Sequence, residues 1–63
     1  MNDVQIIKSI MADDYYIVFK GNKRKGTIMR SKGGYLLTLF YKVNFTKRFA
    51  TLTDAIQYAK EML

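Results

Sequence analysis

A chain of 63 residues, 49% apolar and 25% charged, has room for one domain, 1–63, whose small core must use nearly every apolar side chain to be stable. It has no cysteine and no histidine, which excludes a disulfide staple, a thiolate nucleophile, an imidazole base and the usual zinc ligand set, so neither metal nor cofactor is expected. The formal charge is +6, no apolar run approaches the ~20 residues that cross a bilayer, and no basic leader opens the chain, so a soluble cytoplasmic protein with no membrane partner is expected.

The first dozen residues admit two readings. Val4, Ile7 and Met11, with Ile6 and Ile10 beside them, suit a short helix starting after Asn2 or Asp3. A strand that pairs with residues 15–20 through a turn at Asp13-Asp14 fits as well, and the strand is preferred. Tyr15 to Lys20 is the next strand candidate. It ends in a polar, basic loop, Gly21 to Gly26, whose glycines bracket four solvated residues and which is expected to be mobile. Gly26 to Ser31 reads as a further strand, with Lys32-Gly33-Gly34 supplying the positive-φ positions of a tight reversal. Residues 35–50 are dense in aromatic and β-favouring side chains around a turn at Val43-Asn44, the pattern of a hairpin.

The last element is the clearest. Thr51 can cap, Asp54 follows three residues later, and Leu52, Ala55, Ile56, Ala59, Met62 and Leu63 form one apolar stripe, which predicts a helix over 52–62. The fold class is therefore α+β: a small antiparallel sheet of three to five strands packed by one C-terminal helix. With two-residue turns at Gly33-Gly34 and Val43-Asn44, alternation puts Met29, Leu36, Thr38, Phe40, Phe45 and Phe49 on one face, expected beneath the helix. The other face then carries Ile28, Arg30, Lys32, Tyr35, Leu37, Leu39, Tyr41, Thr46 and Arg48. Ile28, Leu37 and Leu39 are apolar for a solvated face, so a core on both sides of the sheet is the alternative, with the N-terminal segment as its cover.

The placement of charge points to function. All five acids, Asp3, Asp13, Asp14, Asp54 and Glu61, lie outside residues 15–53, while nine bases lie inside: Lys20, Lys23, Arg24, Lys25, Arg30, Lys32, Lys42, Lys47 and Arg48. A field of this kind seeks a polyanion. Arginine can pair with phosphate oxygens or guanine edges, lysine gives a phosphate-seeking point charge, and tyrosine can stack. The expected nucleic-acid contacts are Lys23, Arg24, Lys25, Arg30, Lys32, Tyr35, Tyr41, Lys47 and Arg48, reaching duplex DNA from an exposed sheet face in a groove.

The segment from Lys25-Gly26 to Leu63, about two thirds of the chain, resembles the three-stranded sheet and C-terminal helix of AP2-type DNA-binding domains and of the arm-binding domains of phage and transposon integrases. The matching residues are Gly34-Tyr35, then Phe49-Ala50-Thr51 leading into Asp54-Ala55 and Tyr58-Ala59. The tryptophan of plant AP2 strands has no equivalent. By this resemblance Arg30, Lys32, Tyr35 and Arg48 would face the major groove, and the protein would be an accessory or regulatory factor of a phage or mobile element. The Thr51-Leu-Thr-Asp-Ala-Ile56 junction is also similar to that of the HicB antitoxins and of a small phage inhibitor of bacterial RNA polymerase. That likeness implies the alternative of a modulator docking an acidic surface of a host protein.

Catalysis needs convergent acids, bases or nucleophiles. Asp13-Asp14 reads as a turn and Asp54 as part of a cap, and neither Gly21, Gly26 nor Gly33-Gly34 is followed by the Gly-Lys-Ser/Thr of a phosphate loop. The chain is therefore not expected to be an enzyme.

Overall fold

In the computed structural model, which describes residues 3–40 and 42–63, five strands precede one helix: β1 Val4–Lys8, β2 Tyr15–Lys20, β3 Lys23–Ser31, β4 Gly34–Leu39, β5 Phe45–Phe49 and α1 Leu52–Met62. The strands form one antiparallel sheet in chain order, β1-β2-β3-β4-β5. The expected α+β class and C-terminal helix are present, and the N-terminal segment is the strand that pairs with β2.

The helix begins as its sequence dictates. Thr51 is extended, and its hydroxyl oxygen accepts from the Asp54 amide at 3.1 Å, satisfying one of the free donors of the first turn. Ala55 and Ala59, one turn apart, are fully buried. Their small side chains let the helix approach the sheet closely over Val18, Ile28, Leu37 and Leu39, which are also fully buried. Each such aliphatic side chain contributes roughly 1.5–3 kcal/mol by leaving water.

The helix covers Phe45 and Phe49 as expected, but on β3 and β4 it covers the face opposite to the one expected. Ile28, Leu37 and Leu39 lie in the core, and Tyr35 packs against them, while Met29, Leu36, Thr38 and Phe40 belong to the uncovered side. The cause lies in the β4–β5 connection. Residues 40–44 make it, not a two-residue turn at Val43-Asn44, so Leu39 pairs with Phe45 and Tyr35 with Phe49. This offset moves Phe45, Lys47 and Phe49 onto the side of Leu37 and Leu39, and leaves Thr46 and Arg48 beside Thr38 and Leu36. Tyr58 of α1 then meets both phenylalanines, at ring centroid distances of 6.3 Å to Phe45 and 5.2 Å to Phe49. The Thr38 and Thr46 hydroxyls meet at 3.1 Å on the other face, which confirms the pairing.

Two reversals also differ from expectation. Ser31 pairs with Gly34, so the β3–β4 turn is Lys32-Gly33, with Gly33 at φ 76°. Gly34 instead serves close approach: a Cβ there would lie 2.3 Å from the Phe49 carbonyl oxygen. The segment from Gly21 to Gly26 is a Gly21-Asn22 turn followed by strand, since β3 starts at Lys23. Its register shifts between Val18 and Phe19, which face Gly26 and Arg24, leaving Lys25 as the extra residue of a β-bulge.

Candidate functional site

Connections in an antiparallel meander alternate between the two ends of the sheet. The β2–β3 turn and the β4–β5 connection therefore share one end, and the β1–β2 and β3–β4 connections share the other. The Phe40 amide donates to the Lys25 carbonyl at 2.8 Å across the first end. The C-terminus of α1 returns there too, where the Lys20 ammonium donates to the Leu63 backbone oxygen.

This topology sorts the charge. At the first end lie Lys20, Lys23, Arg24, Lys25, Lys42 and Lys60, with two carboxylates, Asp3 and Glu61. At the second lie Lys8, Arg30, Lys32 and Arg48, with Asp13, Asp14 and Asp54. Six bases against two acids at one end, and four against three at the other, make the molecule electrostatically polar along its strands. Around the β2–β3 turn Lys23 and Arg24 are exposed, and their mutual repulsion is tolerated because water screens it.

The bulge at Lys25 has a second effect, because a regular ladder would turn Arg24 toward the helix side. With one residue looped out, Arg24 stands opposite Phe19 on the uncovered face, and its guanidinium carbon lies 5.9 Å from the centre of the Phe40 ring, a cation–π geometry. A Cβ on Gly26 would lie 2.3 Å from the Thr38 carbonyl oxygen, so this close crossing of β3 and β4 needs glycine.

Of the nine residues singled out from sequence, Lys23, Arg24 and Lys25 come together at the first end. Arg30 is at the second end and is not unpaired: its guanidinium meets the Asp14 carboxylate at 3.4 Å, and its amide donates to the Asp14 carbonyl at 3.0 Å. Asp14 reaches it from a left-handed conformation, φ 54°, which aspartate tolerates. Lys32 is exposed in the β3–β4 turn, and Arg48 is exposed across from Leu36, with its guanidinium near Gly33. Tyr35 is half-buried on the helix side. Lys47 is there as well, its ammonium 4.8 Å from the Tyr58 ring centre and 5.7 Å from that of Phe49, so it clamps α1 to β5. Tyr41 lies outside the described residues. The single sheet face expected to carry Arg30, Tyr35 and Arg48 together therefore does not exist, because Arg48 is on one side of the sheet and Arg30 and Tyr35 are on the other.

Sequence reasoning missed Lys20 and Lys42 as members of the basic end, together with Phe19 and Phe40 beside Arg24. The signal for the first pair was topological: once the meander is drawn, both fall at the connections that Lys23 and Lys25 share. For the second pair it was Gly26 within a strand pattern, a mark of a bulge.

A shallow open depression at the first end is lined by Asp3, Val4, Gln5, Gly21 and Asn22. Among the described residues no group of three or more carboxylate, histidine or cysteine side chains could hold a metal ion, and no helix is long and apolar enough to cross a membrane. Comparison with known proteins matches this chain to no family model, no curated relative and no solved structure.

Proposed function

We propose that this chain is a small nucleic-acid-binding module that grips the phosphate backbone through the basic end of its sheet, acting in the cytoplasm on DNA as an accessory or regulatory factor of a phage or mobile element. The observation that carries the reading is the convergence of Lys20, Lys23, Arg24, Lys25 and Lys42 where the β2–β3 turn meets the β4–β5 connection. Basic side chains so gathered release condensed counterions when they meet phosphates, which supplies sequence-independent affinity. Reversing charge at Lys23, Lys25 and Lys42 together, to glutamate, tests it. Retention on immobilised DNA at low salt is expected to be lost in this variant and kept when Lys8 and Lys32, at the other end, are reversed. Equal retention of both variants would reject the basic end as the site.

A second reading, docking on an acidic surface of a protein, is favoured by the exposed apolar side chains of the β1–β2 loop, Ile10 at 98% and Met11 at 88% exposure. Ile10→Ser/Met11→Ser separates the two. Unchanged DNA retention is expected from the nucleic-acid reading, and polyglutamate binding as tightly as DNA would favour the protein reading.

A further inference from the structure

The face of the sheet turned away from α1 has no covering element among the described residues, and its chemistry differs from that of a groove-reading surface. Its middle consists of Ile17, Thr27, Met29, Leu36 and Thr38, with the Thr38 hydroxyl engaged by Thr46. Short threonines and aliphatic chains cannot make the two-pronged hydrogen bonds that distinguish base pairs in a major groove, so the middle of this face offers a duplex no base-reading partner. Aromatic rings stand along the same face instead. Phe19 is on β2 opposite Arg24, Phe40 lies under the Arg24 guanidinium, and Tyr15 is four residues from Phe19 on the same strand, about 13 Å away at the rise of a strand. Arg24, Lys25 and Arg48 are the charges that the strands place on this face among the described residues, and no carboxylate lies on it within those strands. A second copy of this chain would therefore set arginine against arginine.

We infer that the open face receives unpaired bases, so that the ligand is a single-stranded polynucleotide with its phosphates held by the basic end and by Arg24 and its bases stacked on Phe19, Phe40 and Tyr15. This rests on the nucleic-acid reading above and narrows it. Unpaired bases expose ring faces that aromatic side chains accept whatever the sequence, and an arginine beside the rings binds the phosphate and stacks in the same pose. Half-exposed Ile7 and Met29, each at 48%, extend the apolar floor beyond the rings. The bulge at Lys25 is the device that makes the site, because it brings Arg24 to the ring side of the sheet.

Fluorescence anisotropy with labelled fifteen-nucleotide poly-dT, poly-rU and a fifteen-base-pair duplex tests this, using the full chain, Phe19→Leu/Phe40→Leu, Tyr15→Leu, and Lys23→Glu/Lys25→Glu/Lys42→Glu. Leucine preserves apolar packing while removing the ring, and circular dichroism with urea titration checks that each variant folds. Tyr15→Leu serves should the double variant fail to fold. The single strands are expected to bind about tenfold or more tighter than the duplex, and the ring substitutions to weaken single-strand binding about tenfold while leaving duplex binding unchanged. The ratio of poly-dT to poly-rU affinity identifies which polymer is preferred, and either preference supports the inference. Duplex binding as tight as single-strand binding, undiminished affinity of the ring variants, or displacement of poly-dT by polyglutamate at equal charge would overturn it. Failure of the parent reading looks different: no polynucleotide binds the wild type, or the triple charge reversal binds as well as wild type, and either result removes this inference too.

Discussion

Leu36 and Leu37 are adjacent in β4 and identical in chemistry, yet the structure gives them opposite fates. Leu37 is fully buried, between Ile28 and Lys47 in register and beneath the alanines of α1. Leu36 is half-buried on the open face, between Met29 and Arg48. Truncating Leu37 to alanine removes its transfer free energy and leaves a cavity in a tightly packed layer, at a cost of about 2–5 kcal/mol. A chain of this length commands only about 3–9 kcal/mol at typical stability per residue, so Leu37→Ala is expected to lose about half of its stability or more. Leu36→Ala forfeits only partial burial with no enclosed void, and about 1 kcal/mol is expected. Urea titrations followed by far-ultraviolet circular dichroism measure both. With a slope near ~1 kcal/mol per molar urea, the midpoint of Leu36→Ala should fall by about 1 M and that of Leu37→Ala by about 2–5 M. A Leu36→Ala variant as unstable as Leu37→Ala, or more so, would refute the assignment of the covered face and with it the position of every candidate contact.

Further outcomes follow from local geometry. Gly26→Ala forces a methyl group against the Thr38 carbonyl oxygen at 2.3 Å and should cost about 2 kcal/mol or more by distorting the β3–β4 ladder. Gly21→Ala meets nothing within 4 Å and bears only the strain of φ 60°, about 1 kcal/mol; the order of the two thermal midpoints checks the bulge. Thr51→Ala removes the side-chain acceptor for the Asp54 amide and should lower stability by ~1 kcal/mol, measured in the same titration, whereas Thr51→Ser should be close to neutral.

Much of the fold was legible because local signals agreed. The apolar stripe and cap of α1, the glycine-marked reversals and the β-rich stretches each pointed to one element, and a meander is what short connections impose. The faces were not legible, because β2 and β4 are apolar on both sides. Tyr15, Ile17 and Phe19 alternate with Tyr16 and Val18, and Leu36 with Leu37, so hydrophobicity does not say which set the helix covers. The outcome turned on the parity of the 40–44 connection and on the fit of Ala55 and Ala59, neither of which periodicity reveals. The candidate site suffered for the same reason. Its local part, Lys23 to Lys25, was visible as a run of charge, whereas Lys20 and Lys42 join it only through pairing across the sheet. Arg30, Tyr35 and Lys47 left the site for contacts with Asp14, the core and Tyr58, which arise between residues far apart in the chain.

The dependence of nucleic-acid affinity on salt, measured by anisotropy between about 50 and 300 mM sodium chloride, bears most directly on the basic end. If Lys20, Lys23, Arg24, Lys25 and Lys42 neutralise about five phosphates, the logarithm of the association constant should fall with the logarithm of salt concentration at a slope of about −3.5 for a single strand and about −4.5 for a duplex. A slope shallower than about −1, which corresponds to a single phosphate contact or none, would show that the gathered charge at the β2–β3 turn does not meet a polyanion.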